Sequence, residues 1–221
     1  PQAYDNAKDF FDTGITWSNS LNVAQMLDKS SYSISLGNTH QDGIISSTGM
    51  DRYNVKVSAD TKLTNNWSSG FTANYITTSI DKAVTSGNGL LRTVYAAPPS
   101  YDLAGIPSHV DGNPYTQNSF RGSFDNAYWA MENNKFTEDT NRFFGNVYAS
   151  YQTDFGTTNH KLNAKYMVGV DAYTTHYVDS YGYGSNTGGG RGQIENYGWT
   201  NATYNSLLTI NYDWHINEDW G

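Results

Sequence analysis

The sequence of 221 residues has no cysteine and few charges. Without cysteine there is no disulfide framework, although this does not decide between an exported and a cytosolic protein. Charged residues make up only 15 %, the 13 Lys and Arg are scattered, and the net charge is −8, which argues against a nucleic-acid partner. The longest apolar run, YMVGV at 166–170, is far too short for a membrane helix.

Neutral polar residues and aromatic residues make up much of the rest of the composition. Asn, Ser, Thr and Gly are abundant, and aromatic residues reach 15 %, with 18 tyrosines. Disordered chains are poor in aromatic residues, so this composition favours an all-β protein rich in turns. The sequence begins at Pro1 without an initiator Met or a signal-peptide pattern, and we expect a processed chain or an internal fragment.

Seven segments alternate apolar and polar residues with the period of a β-strand. They span residues 15–26, 30–40, 52–63, 67–79, 141–155, 161–178 and 197–214. In the third segment Tyr53, Val55 and Val57 alternate with Lys56 and Asp60, so one face carries no charge. These strands are about twice the usual five to six residues, and a membrane-crossing strand needs about 9–11.

Short and long connections alternate strictly between these strands. LDKS (27–30), TNN (64–66), GTTNH (156–160) and INED (216–219) are tight, whereas residues 41–51, 83–140 and 184–196 form longer connections. Aromatic residues of the apolar face lie near both ends of the strands: Trp67, Phe155 and Trp214 beside short turns, and Tyr53, Tyr75 and Phe143 toward long loops. Outer-membrane barrels have this asymmetry and such aromatic girdles.

The predicted fold class is therefore all-β, as part of a transmembrane antiparallel up-and-down β-barrel: about seven strands of a larger barrel. Residues 1–14 form a lead-in segment, and residues 15–221 form the strands, with the long loop at about 83–140. A one-residue slip of the third strand would expose charges to lipid, at about 2–4 kcal/mol for each Lys or Arg near mid-bilayer. Alternation also fits a soluble β-sandwich, which stays as the alternative.

No catalytic or metal-binding motif is recognisable. The five histidines have no zinc spacing, and HExxH and GxSxG are absent. TGGGRG at 187–192 lacks the Lys-Ser/Thr ending of a phosphate loop and predicts a flexible loop. Glu132, Glu138 and Asp139 lie in a polar stretch and are expected to be solvated. We predict no enzyme activity, no catalytic residue, no metal and no cofactor.

The long loop is dense in aromatic residues, including Tyr101, Tyr115, Tyr128 and Trp129. Such density argues against disorder, and a loop of this length is usually functional. The rings could stack on sugars, grip a peptide or pack on a partner, so these four are the candidate substrate- or partner-binding residues. The alternative is that the rings pack on one another.

A series of short motifs runs in order along most of the chain. DFFDTG (9–14), SLNVAQML (20–27), SYSISLGNTHQDGI (31–44) and DRYNVKVS (51–58) are followed by AYWAMENNKFTEDTNRFFGNVYASYQ (127–152). In this order they resemble the SusC/RagA family, TonB-dependent outer-membrane transporters of Bacteroidota. The matching positions are Tyr32, Ser35, Gly37, Gln41, Gly43, Ile44, Arg52, Tyr53 and Asn54.

The resemblance implies a nutrient importer of the Gram-negative outer membrane. Its partners would be the lipid bilayer, a SusD-like surface lipoprotein, the TonB complex acting through regions absent here, and an oligosaccharide or peptide substrate. The family's plug has no counterpart in this chain, so we expect the early third of a barrel of about 22 strands. Lumen-facing residues would be Lys56, Asp60, Asn146, Gln152, Lys165 and Asp171.

Two other classes of function compete with the importer. A secreted soluble glycan-binding module could use the same aromatic residues on a β-sandwich. A hydrolase fragment is disfavoured because the sequence has no clear carboxylate constellation.

Overall fold

The computed structural model describes residues 2–84, 89–156 and 159–216. Its main feature is one antiparallel sheet of seven strands in chain order, each hydrogen-bonded to the next. The strands are β1 (Thr16–Met26), β2 (Ser30–Asp42), β3 (Gly49–Lys62), β4 (Trp67–Lys82), β5 (Lys135–Thr153), β6 (His160–Tyr183) and β7 (Arg191–Trp214). The all-β, up-and-down prediction is confirmed. The sheet is open, and β1 and β7 form its two edges.

The later strands extend further than their sequence pattern predicts. In β1 to β4 the bounds agree to within about three residues, but β5 begins at Lys135 rather than 141 and β7 begins at Arg191 rather than 197. Both faces of these extensions are largely polar, so the period-two signal fades while the backbone ladder continues. Glu138 and Asp139 consequently lie in β5 and not in a loop.

The connections place one long excursion at one end of the sheet. Residues 27–29, 63–66 and 154–159 join strands at one end, here called the short-turn end; residues 157–158 of the last connection lie outside the described residues. The predicted turn at 216–219 is described only at Ile216. At the opposite end, residues 43–48 and 184–190 form shorter connections than predicted, and 83–134 forms the long one.

The long connection is folded and does not form a structureless loop. It contains α2 (Leu90–Ala96) and α3 (Ala127–Asn133), and the lead-in segment contributes α1 (Asn6–Phe10). We call residues 2–15, 43–48, 89–134 and 184–190 the cap. Its helices are too short for sequence periodicity to reveal, but two have polar N-caps: Asp5 accepts from the Lys8 amide, and Asn126 accepts from the Tyr128 and Trp129 amides.

Among the described residues, the buried apolar side chains lie in the cap, except for Val84 and for Phe136 on the polar face of β5, and none lies on the apolar face of the strands. One cluster joins Phe10, Ile45, Leu90, Val94, Leu103, Ala127, Trp129 and Ala130. The lead-in segment is tied to it because the Asn6 side chain donates to the Tyr101 carbonyl (3.0 Å) and accepts from the Leu103 amide (3.0 Å). Within the described residues, no helix is long and apolar enough to cross a bilayer.

Candidate functional site

The apolar face of the sheet is built from rows of directly paired residues, which point to the same side in antiparallel strands. One row crosses all seven strands without a polar residue other than a tyrosine hydroxyl: Leu21, Leu36, Val55, Tyr75, Phe143, Ala172 and Ala202. No described part of the chain covers this row, since Leu21 is 58 % exposed and Phe143 43 % exposed. A continuous uncovered apolar surface therefore runs across the sheet.

A polar row limits this surface on the side of the cap. Its members, two residues further along each strand, are Asn19, Asn38, Tyr53, Thr77, Asn141, Thr174 and Thr200. Toward the short turns the apolar face ends in aromatic residues, where the rings of Trp67 and Tyr151 lie 5.0 Å apart. We call the region between these limits the apolar band.

The polar face carries the six residues predicted to face a lumen. The pairing register places Lys56, Asp60, Asn146, Gln152, Lys165 and Asp171 on one side of the sheet. Polar side chains bond across neighbouring strands there, as in Asn22 to Ser35 (2.6 Å) and Ser33 to Ser58 (2.8 Å). The Arg142 Nε also donates to Asp171 Oδ1 (2.8 Å). These side-chain bonds satisfy hydrogen-bonding groups on a solvent-exposed face of the sheet.

Tyr148 lies across Gly70 on the polar face. Its hydroxyl donates to Asp60 Oδ1 two strands away (2.6 Å), and Lys165 Nζ lies 3.9 Å from its ring centroid. A Cβ at Gly70 would meet Asp60 Oδ1 at 2.3 Å and the Ala59 carbonyl oxygen at 2.8 Å. Only glycine leaves room for this cross-strand contact.

We expect Gly70→Ala to destabilise the protein by about 1–3 kcal/mol, since the added methyl meets a backbone carbonyl that cannot rotate away. Urea titration in lipid vesicles or detergent measures the change. Gly122→Ala is the control: a Cβ there meets nothing within 4 Å, so a change within about 0.5 kcal/mol is expected. Equal effects of the two substitutions would contradict the packing argument.

The structure separates the four predicted aromatic site residues by exposure. Trp129 is fully buried and its Nε1 donates to the Pro114 carbonyl (2.9 Å), so no face of its ring is open to a ligand here. Tyr115 is 61 % exposed and packs edge-on against Tyr183. Tyr101 and Tyr128 are half-buried against the cap cluster, and burial raises the pKa of both phenols.

Many loop aromatics pack on one another, which was the open alternative. The ring of Tyr128 contacts Phe10 edge-on at 5.3 Å, and that of Tyr101 lies 5.6 Å from Phe120. Of the four predicted residues, Tyr115 therefore keeps the most surface for a ligand or partner. Their assignment as a binding site stays a prediction.

A buried carboxylate links the β6–β7 connection to the rest of the cap. Asp125 is 4 % exposed and accepts from Gln117 Nε2 (2.6 Å), Ser185 Oγ (2.6 Å) and the Asn186 amide (2.7 Å). The segment predicted as a flexible loop starts beside it with a 3-10 turn at Thr187–Gly190. Asp125 has no signal in the sequence, because two of its three partners, Ser185 and Asn186, are about 60 residues away in the chain.

Three aromatic side chains form a column on the polar face, closer to the cap than the apolar band is. The rings of Tyr177 and Tyr197 stack with centroids 5.0 Å apart and planes 9° apart, and Trp199 lies 5.2 Å from Tyr177. Lys82 Nζ lies 4.4 Å from the Tyr177 ring centroid. We call Tyr177, Tyr197 and Trp199 the aromatic column.

Carboxylates surround the aromatic column. Glu138 forms an ion pair with Lys82 (3.3 Å), and Asp179 accepts from the Tyr197 hydroxyl (3.1 Å). Asp179 is also directly paired with Glu195 on β7. The sequence pattern did not reveal these carboxylates, because the predicted long loop extended to residue 140 and the predicted seventh strand began only at residue 197. The available signal was the two-residue spacing of Tyr197 and Trp199, which places both rings on one face of the strand.

The described residues contain no group of three His, Asp or Glu side chains placed to hold a metal ion. The carboxylates singled out in the sequence are engaged separately: Glu132 contacts His109 (3.6 Å), whereas Asp139 accepts from Ser79 (2.6 Å).

Neither a protein-family model nor a curated protein matches the sequence. The likeness to SusC/RagA transporters thus rests on the motifs quoted above.

Proposed function

We propose that this chain is wall and rim of an outer-membrane β-barrel, part of a SusC-like TonB-dependent importer of oligosaccharides or peptides. The uncovered apolar band carries the proposal. Soluble monomers rarely expose a contiguous apolar patch of more than a few hundred Å², and larger patches mark membrane or protein contacts. In a bilayer, the same row from Leu21 to Ala202 faces acyl chains and the opposite face meets water in the lumen.

The register of the sheet supports tilted strands. Along the row from Leu21 to Ala202, the distance to the short-turn end grows from five residues in β1 to twelve in β7. This drift is about 4 Å per strand, beside a strand spacing of about 4.8 Å. Short turns at one level then require a tilt of about 40°, within the range of about 35–45° for outer-membrane barrels.

The height of the apolar band supports the same reading. From Trp67 to Tyr75 on β4 the chain rises about 27 Å along the strand, which a tilt of about 40° reduces to about 21 Å. The lipid-facing band of such barrels is about 25 Å tall. The remaining length of β5 to β7 extends beyond the band toward the cap, where an importer has its outer mouth.

The open edges indicate that more strands complete the wall. Unpaired backbone groups are costly in hydrocarbon, so β1 and β7 need further strands beside them in a membrane. The cap then lies outside the cell, where a SusD-like lipoprotein and substrate would approach. The soluble β-sandwich lacks support because the described strands form one sheet, and no second sheet among them covers the apolar band.

Single-cysteine labelling in outer-membrane vesicles tests the proposal, and these 221 residues contribute no cysteine of their own to the background. Cysteines at Val55, Val57, Tyr166 and Val168 are expected to react with a lipid-soluble maleimide and resist a charged one. Cysteines at Lys56 and Lys165 are expected to show the reverse. Reaction of all six positions with the charged reagent would overturn the membrane assignment. Loss of substrate uptake on removal of TonB tests the energy source.

A further inference from the structure

The aromatic column lies on the polar face of the sheet, and two of its three rings, Tyr197 and Trp199, are partly open to solvent. Tyr197 is 44 % exposed and Trp199 51 % exposed. They lie two residues apart on β7 and so point to the same side. Since Tyr177 is directly paired with Tyr197, the column belongs to the face that the proposed function assigns to the lumen.

The column already binds a cation from within the chain. Lys82 Nζ lies over the Tyr177 ring, and aromatic faces attract ammonium and guanidinium groups through their quadrupoles. Trp gives the strongest such attraction, and Trp199 has no cation over it among the contacts of the described residues. The most favourable ring for a second cation is therefore open.

The charges around the column have an excess of carboxylates. Lys82 is the cation there and pairs with Glu138, while no lysine or arginine of the described chain forms an ion pair with Asp179 or Glu195. These two carboxylates face each other directly across β6 and β7, an arrangement that costs free energy in a sheet. A positive group placed between them would relieve this repulsion.

The cap adds charge of the same sign. Its residues 2–15 and 89–134 carry seven Asp and Glu against three Lys and Arg. An acidic mouth attracts cations and repels anions over a distance of about 10 Å at moderate salt. The long-range field and the local chemistry thus favour the same kind of ligand.

We infer that the aromatic column, with Asp179 and Glu195, is a subsite for the positively charged side chain of a peptide substrate. The inference rests on the proposed import function for its biological role, and it narrows the substrate from oligosaccharide or peptide to a basic peptide. The ammonium or guanidinium group stacks on an open ring face of Trp199 or Tyr197, and Asp179 and Glu195 supply the negative charge further along the same face.

Calorimetric titration of the full-length protein in detergent with tetra-arginine, tetraglutamate and maltotetraose tests the inference. Tetra-arginine is expected to bind, more weakly as salt is raised, and the other two are not. Trp199→Ala and Glu195→Gln are each expected to weaken binding by about tenfold or more. Tyr204→Ala, which removes a tyrosine from the opposite face of the same strand, is the matched control and should keep the affinity.

Three results would overturn the inference. They are no binding of tetra-arginine, equal binding by all variants, and maltotetraose binding that Trp199→Ala abolishes, which would assign the column to sugars. Because Glu195→Gln preserves shape, a folding failure of Trp199→Ala alone does not hide the answer. If the cysteine labelling contradicts the membrane assignment while tetra-arginine binds the column, the proposed import function is wrong and the cation site is retained. If the labelling supports the membrane assignment and tetra-arginine does not bind, only the cation site is wrong.

Discussion

The Val147→Arg substitution is expected, for the membrane wall proposed above, to destabilise the protein in lipid by about 2–4 kcal/mol, the cost of an arginine near the bilayer midplane. Val147 lies on the apolar face of β5, midway between Phe143 and Tyr151, and its side chain is 53 % exposed. Urea titration in lipid vesicles measures the free energy, and the fraction of protein assembled in the outer membrane gives a second reading.

Asn146→Arg is the matched control for this experiment. Asn146 is the preceding residue of the same strand, is also exposed, and points to the polar face. In a lumen wall it should tolerate arginine within about 0.5 kcal/mol. If both faces were in water, the two substitutions would have similar small effects, and the membrane assignment would be wrong.

The Trp129→Ala substitution is expected to cost the cap about 3–5 kcal/mol, because it removes a fully buried indole from the apolar cluster of the cap and leaves a cavity there. The bond from its Nε1 to the Pro114 carbonyl is also lost. The sheet has its own ladder of hydrogen bonds, so the damage should stay local. Hydrogen exchange and limited proteolysis should show the cap opening while β2 to β6 remain protected.

Tyr95→Ala provides the comparison within the same cap. Tyr95 lies on α2 and is 69 % exposed, with one loose ring contact to Phe11 at 6.1 Å. Its removal should cost less than about 1 kcal/mol. A wild-type exchange pattern for Trp129→Ala would show that the cap does not depend on its core, and would return Trp129 to the candidate binding residues.

The sheet was predictable because its signal is local and repeated. In β3 the alternation of Val55 and Val57 with Lys56 assigns both faces, and a one-residue slip would exchange them. The directly paired rows of the structure keep the same separation of faces in all seven strands. The extensions of β5 and β7 were not predictable, because hydrogen bonds to neighbouring strands maintain them where the alternation is lost.

The candidate site was less accessible to sequence reasoning. Aromatic density pointed to the long loop, but exposure depends on packing, which buries Trp129 and leaves Tyr115 open. The aromatic column joins residues of β6 and β7, Lys82 of β4 lies over one of its rings, and Asp125 bonds to Ser185, 60 residues further along the chain. Such contacts depend on strand register and on how the loops fold, so no local sequence motif predicts them.

By itself, the sequence determined the all-β class, the up-and-down order and the two faces of the sheet, because alternation along a strand has a fixed geometric meaning. The tertiary structure decided where the core lies, which aromatic rings are exposed, and which charges meet. These properties depend on contacts between different segments of the chain, as in the pairing of Asp179 with Glu195 and the burial of Trp129 in a cluster that includes Phe10 and Leu90.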